Sequence, residues 1–137
     1  EAVRLYRMAA AQGNADAMNN LGVSYSSGLG VRQDFAEAVR LYRMAADHGS
    51  ADGMNSLGYR YKNGQGVEKD EAEAVRWYRK AAELGDAAAQ NNLGTCYAMG
   101  EGVEKDEAEA EKWFRKAADQ GYPPAQRNLS RLHGIPA

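Results

Sequence analysis

The chain has 137 residues, of which 26% are charged and 44% hydrophobic, and its formal net charge is −2. Lys and Arg are interleaved with Asp and Glu, so no strong field favours nucleic acid or an anionic membrane. No apolar run approaches the length that spans a bilayer, and the single Cys96 excludes an intrachain disulfide framework and a Cys-based zinc site.

The chain repeats itself every 36 residues. Leu21-Gly22-x-x-Tyr25 returns as Leu57-Gly58-x-x-Tyr61 and Leu93-Gly94-x-x-Tyr97, and the loop Gly28-x-Gly30-Val31 returns at Gly64 and Gly100. A fixed period of this length signals stacked supersecondary units. The units run 15–50, 51–86 and 87–122, flanked by half units at 1–14 and 123–137, all in a single repeat domain. Residue 1 is Glu rather than Met, so the chain reads as an excised or processed segment in which missing targeting signals carry no weight. The cytoplasm is slightly favoured as its location.

The first predicted element is a helix over about residues 1–12, with Val3, Leu5, Tyr6 and Met8 and no helical partner of its own ahead of it. Each full unit then contributes two helices. In the second unit Met54, Leu57, Gly58 and Tyr61 fall at i, i+3, i+4 and i+7, one helical face, with Ser50 as the N-cap; Asn14 and Asp86 match it in the other units. This is the A helix. After the Gly-x-Gly-Val turn, Ala74, Trp77, Tyr78, Ala81 and Ala82 form the stripe of a second, B helix. Asp70 with Glu73 reads as an acidic capping box: the Asp oxygen takes backbone N–H bonds and the Glu reaches back. Asp34 with Glu37 and Asp106 with Glu109 repeat it, and Gly49, Gly85 and Gly121 stop the helices. A last A helix runs from about 123 to 133, with Pro123 and Pro124 in its first turn and Arg127 and Arg131 making it a polar cap.

Gly58 inside a helix costs on the order of 1 kcal/mol relative to Ala, yet it recurs as Gly22 and Gly94. The recurrence predicts a close helix approach. The Ala45-Ala46, Ala81-Ala82 and Ala117-Ala118 pairs are the expected small partners, with Trp77, Trp113 and the tyrosines filling wider gaps.

These residues resemble the Sel-one-like repeat, a branch of the tetratricopeptide superfamily. The motif reads here as Ala17, Leu21, Gly22, Tyr25, Gly28, Gly30, Val31, Asp34, Ala38, Leu41-Tyr42, Ala45-Ala46 and Gly49, and again from Ala89 to Gly121. The second unit differs in having Gly53 for the leading Ala, and Ser130 replaces the Gly in the last half unit. The resemblance implies an all-α fold, a right-handed superhelical solenoid of about eight helices in antiparallel pairs. It also implies a non-enzymatic adaptor or scaffold that binds a protein or peptide, with A helices lining the concave side. Cysteine-rich relatives carry a cysteine pair in each repeat; this chain does not, which argues against a secreted, disulfide-stapled version.

The A-helix stripe opposite Leu57 is the candidate binding surface. It comprises Asp16, Asn19, Val23 and Ser26 in the first unit, Asp52, Asn55, Tyr59 and Lys62 in the second, Ala88, Asn91, Thr95 and Ala98 in the third, and Arg127 and Arg131 at the end. Asn recurs while its neighbours change. Amides at a regular pitch suit an extended peptide backbone, Tyr59 is an aromatic anchor, and the basic residues suit a carboxylate. The same stripe also reads as a solvated face whose Asn residues bond their own neighbours. Asn20, Ser56, Asn92 and Asn128 read as structural, bridging to an adjacent loop. The uncovered half units allow self-association, or stacking within a longer repeat protein.

Other motifs carry less. The Gly-x-Gly loops lack the strand and the Gly-Lys-Ser/Thr of a phosphate site. The acidic runs at 68–73 and 104–109 are interrupted by Lys69 and Lys105 and serve as caps rather than a metal loop. His48 and His133 stand alone near helix ends, and Cys96 reads as a small packing residue. Neither a catalytic group, a metal nor a cofactor is expected. Units two and three share Gly66–Ala74 and Gly102–Ala110 without change, as recent duplication or consensus design would each produce.

Overall fold

The computed structural model describes residues 1–134, so the expected last half unit is followed only that far. The described residues form eight helices and no strand: α1 (Ala2–Ala11), α2 (Ala15–Ser27), α3 (Phe35–Asp47), α4 (Ala51–Asn63), α5 (Glu71–Glu83), α6 (Ala87–Met99), α7 (Glu107–Asp119) and α8 (Pro123–Leu132). Even-numbered helices are the A type and odd-numbered ones the B type. The fold is an all-α helical-repeat solenoid, as the sequence implied.

Local chemistry sets the helix ends. The side chains of Asn14, Ser50 and Asp86 each accept a backbone N–H at 2.9 Å, from Ala17, Gly53 and Ala89. Such caps contribute about 1 kcal/mol each. Gly28, Gly64 and Gly100 close the A helices in the left-handed region, at φ 75°, 64° and 70°. Pro123 and Pro124 occupy the first turn of α8.

The capping boxes form only in half. Asp34 accepts the N–H of Glu37 at 3.0 Å, and Asp106 that of Glu109 at 3.1 Å. The reciprocal bond is not made by Glu37 or Glu109, which turn to Arg40 and Lys112 on their own helices. Instead the N–H groups of Asp34, Asp70 and Asp106 donate to the carbonyls of Tyr25, Tyr61 and Tyr97, at 2.8, 2.9 and 3.0 Å. Those carbonyls lie in the last turn of an A helix, where intrahelical partners have run out. One bond therefore satisfies two orphan groups.

The helices divide into two compact units, one of Glu1–Asp70 and one beginning at Glu71. In the first, α1 packs on α2, α2 on α3 and α4, and α3 on α4. Val3, Leu21 and Leu41 form a core cluster there, bordered by Tyr6, Tyr25, Val31 and Met44. In the second unit α5 packs on α6, α6 on α7, and α7 and α6 on α8. Its buried residues include Leu93, Cys96, Trp113, Phe114 and Ala125. Val75 is buried on α5, whereas Trp77 is only half-buried and donates its indole N–H to Glu73 at 3.0 Å.

At Gly22 and Gly94 the close approach predicted for the helical glycines is present with a different partner. A Cβ on Gly22 would stand 2.6 Å from the Tyr42 ring, and one on Gly94 2.7 Å from the Phe114 ring. An aromatic ring of the following B helix fills the missing side chain's place, because a flat ring fits the notch better than a methyl. The alanine pair meets another small residue: a Cβ on Gly53 would lie 2.7 Å from Cβ of Ala45. The turn glycines have a packing role too. A Cβ on Gly66 would be 2.3 Å from the Phe35 carbonyl oxygen, and one on Gly102 2.3 Å from that of Glu71. The second and third A-to-B turns thus rest on the backbone of the first residue of the preceding B helix, and the first meets the Val3 side chain of α1.

Candidate interaction surface

The stripe residues of the A helices differ widely in exposure. In the first compact unit, residues 1–70, Asp16 and Asp52 are exposed, Asn19, Ser26, Asn55 and Lys62 are half-buried, and Val23 and Tyr59 are 43% and 46% exposed. The Arg60 guanidinium lies 4.6 Å from the Tyr59 ring centroid and 5.4 Å from that of Phe35, so the Tyr59 ring is held beside a cation. Ser26 Oγ is 3.0 Å from the Tyr42 hydroxyl.

In the second unit Ala88, Thr95 and Ala98 are half-buried, Arg127 and Arg131 are exposed, and Asn91 is only 8% exposed. Asn128 Nδ2 donates to Asn91 Oδ1 at 2.9 Å, and Arg131 donates to Asn128 Oδ1 at 3.3 Å. The first unit has a matching bond, from Ser56 Oγ to Asn19 Oδ1 at 3.1 Å. Ser56 and Asn128 therefore bridge to the preceding A helix, not to a loop as expected. The recurring Asn acceptors of the stripe are, at Asn19 and Asn91, part of the joint between successive A helices. Of the stripe residues, Thr95, Ala98 and Arg131 come together around an open cleft of about 360 Å³. Met99, Phe114, Asn128 and Leu132 complete its lining, none of which the stripe pattern singled out as binding residues. Phe114 is reachable from sequence only through its contact with Gly94.

A second joint escaped sequence reasoning. Arg7 donates to the Tyr25 hydroxyl at 2.8 Å, Arg43 to that of Tyr61 at 2.7 Å, and Arg79 to that of Tyr97. The signal was there as an Arg–Tyr pair recurring at a spacing of 18 residues. His133 stands where the next Tyr would be and bonds the Glu111 carboxylate, which also meets Arg115. The hydrogen bond from His133, first, and the nearby Arg115 hold the Glu111 carboxyl below the ordinary glutamate range. Glu37 is lowered likewise, chiefly by its hydrogen bond from Arg40. His48 Nδ1 lies 2.9 Å from the Met44 carbonyl at the end of α3. Among the described residues no helix is long and apolar enough to cross a membrane.

The Sel1 repeat pattern matches residues 1–14, 15–50, 51–86 and 87–122. The chain belongs to the Sel1 repeat family. Sel1 repeats generally mediate protein–protein interactions. Solved structures agree. The Sel1 repeat protein from Oxalobacter formigenes is 39% identical with a TM-score of 0.80, over 92% of this chain and 95% of that one. Helicobacter pylori cysteine rich protein B is 28% identical with a TM-score of 0.73, over 93% and 96% of the two chains. The protein c5321, a protective antigen present in uropathogenic Escherichia coli strains that displays an SLR fold, is 40% identical with a TM-score of 0.88. That match covers 95% of this chain, which spans only 28% of the length of c5321. No curated protein matches the chain.

Proposed function

We propose that this Sel1 repeat segment is a non-enzymatic scaffold that binds a protein or peptide through the A-helix face of its units. One observation carries the reading. The packing positions barely change from repeat to repeat, whereas the outward position of the A helix is Val23, Tyr59, Thr95 and Arg131 in turn. The varying position presents an exposed Val and an exposed Tyr, and Tyr is among the residues enriched at interface cores. The contacts on offer are amide, hydroxyl, aromatic and cationic, the chemistry of recognition rather than of bond making. The surface comprises Asn19, Val23, Ser26, Asp52, Asn55, Tyr59 and Lys62 in the first compact unit and Asn91, Thr95, Arg127 and Arg131 in the second compact unit. Asn19 and Asn91 serve mainly to set the spacing of the others. The test is affinity capture from native lysate with the parent chain and with Tyr59→Ala, Lys62→Ala and Arg131→Ala combined. Loss of the captured protein is expected; its recovery in undiminished amount defeats the assignment.

A second reading is favoured by α1, where Leu5 and Met8 are 52% and 54% exposed. On a different face of the same helix Val3 and Tyr6, with Val23 and Leu29, line a cleft of about 400 Å³. A helix from a second copy or from a longer parent chain would cover this apolar surface, as repeat units normally cover one another. Sedimentation that stays monomeric at high concentration would count against a second copy as the cover.

A further inference from the structure

The cleft in the second unit has a marked charge asymmetry. The α6 helix carries no charged residue from Ala87 to Met99, and α8 carries only Arg127 and Arg131 between Pro123 and Leu132. Every helical carboxylate of this unit sits on α5 or α7. Glu101, in the turn after α6, is half-buried. The cleft lining is largely apolar, with Ala98, Phe114, Leu132 and Met99, the last of them 67% exposed. At the rim the Arg131 guanidinium is oriented by its bond to Asn128, which is itself tied to Asn91. The corresponding position in the first unit is closed by the Ser26–Tyr42 hydroxyl contact. Ala98 and Phe114 lack both hydroxyls, so the second unit keeps an apolar recess.

Resting on the reading of the A-helix face as a binding surface, we infer that this cleft takes an acidic peptide segment with an aliphatic or aromatic anchor. The anchor side chain fills the recess over Phe114, and an Asp or Glu beside it in the partner meets Arg131, with Arg127 one turn away adding to the field. Apolar burial supplies affinity, and the cation selects the sign of charge. A net-negative protein can present such a face here because the helical acids of this compact unit lie on the other helix type.

The experiment is a titration of the isotope-labelled chain with four probes, followed by backbone amide NMR shifts. These are a short peptide with one Leu between Glu residues, its analogue with Lys for Glu, its analogue with Gly for Leu, and a single-stranded oligonucleotide. The Leu–Glu peptide is expected to bind at least about tenfold more tightly than either analogue, with shifts centred on Thr95, Ala98 and Arg131. Arg131→Glu, at an exposed site, and Ala98→Val, which narrows the recess, should each weaken it about tenfold. Equal or tighter binding of the Lys peptide or of the oligonucleotide overturns the inference, as does binding indifferent to both variants, or no binding at all. Tighter binding of the Lys peptide with shifts still on α6 and α8 overturns the acidic specificity and leaves the A-helix reading intact. Shifts confined to the outer sides of α5 and α7 overturn both.

Discussion

The seating of each A-to-B turn on the preceding B helix can be tested with a built-in control. Gly102 and Gly121 have nearly the same backbone conformation, φ 75° and 81°. Alanine at either position carries the same left-handed strain, about 1–2 kcal/mol. Their surroundings differ. An added Cβ at Gly121 meets nothing within 4 Å, whereas at Gly102 it stands 2.3 Å from the Glu71 carbonyl oxygen and 2.6 Å from its carbon. Both of those atoms are backbone, and the carbonyl belongs to the first residue of α5, so no rotamer change relieves the overlap. The turn must lift off, and overpacking of this kind costs about 1–3 kcal/mol more. Gly121→Ala should therefore lose about 1–2 kcal/mol and Gly102→Ala about 2–5 kcal/mol. Urea unfolding followed by far-UV circular dichroism measures both, with the urea dependence unchanged. In thermal melts the gap between them amounts to roughly 4–10 °C at this chain length. If the two variants unfold within about 0.5 kcal/mol of each other, the turn does not rest on α5 and the proposed inter-repeat joint is wrong.

Three further outcomes follow from the joints. Asn128→Ala leaves the buried Asn91 oxygen without its donor and should cost about 1–2 kcal/mol in urea unfolding; a double-mutant cycle with Asn91→Ala should show coupling, and strict additivity would refute the pairing. Tyr42→Phe removes the hydroxyl that meets Ser26 but keeps the ring over Gly22, so it should cost only about 0.5–1.5 kcal/mol, whereas Tyr42→Ala opens a cavity worth about 3–5 kcal/mol. The Glu111 carboxyl is lowered first by the His133 hydrogen bond and then by nearby cations. Its contribution to stability is present above the unfolded-state pKa and fades as pH falls through the lower folded value. Carbon-detected NMR titration should place its midpoint below that of an ordinary glutamate, and His133→Gln should raise it; an unmoved midpoint would contradict the contact.

The elements themselves were legible because their causes are local. N-caps such as Asn14 and Ser50 bond three residues ahead, the i+3/i+4 stripes mark the packed faces, and the glycines after each helix adopt conformations other residues avoid. The 36-residue period then implied stacking, because no helix pair covers its own apolar side. What stayed hidden lies between elements. Glu37 and Glu109 looked like reciprocal caps, but the returning turn brings a tyrosine carbonyl closer to the orphan N–H. Gly94 announced a close approach, but the partner is the Phe114 ring rather than the expected alanine pair. The Asn91–Asn128, Ser56–Asn19 and Arg–Tyr joints span 18 to 37 residues and depend on how far and at what angle neighbouring helices pack. The open cleft is the clearest case. Ala98 and Phe114 are unremarkable in the chain, and only their placement across from Arg131 and Leu132 makes a recess with a cation at its rim. A repeated sequence specifies its own periodic contacts; the gaps between those contacts come from side-chain volumes meeting in three dimensions.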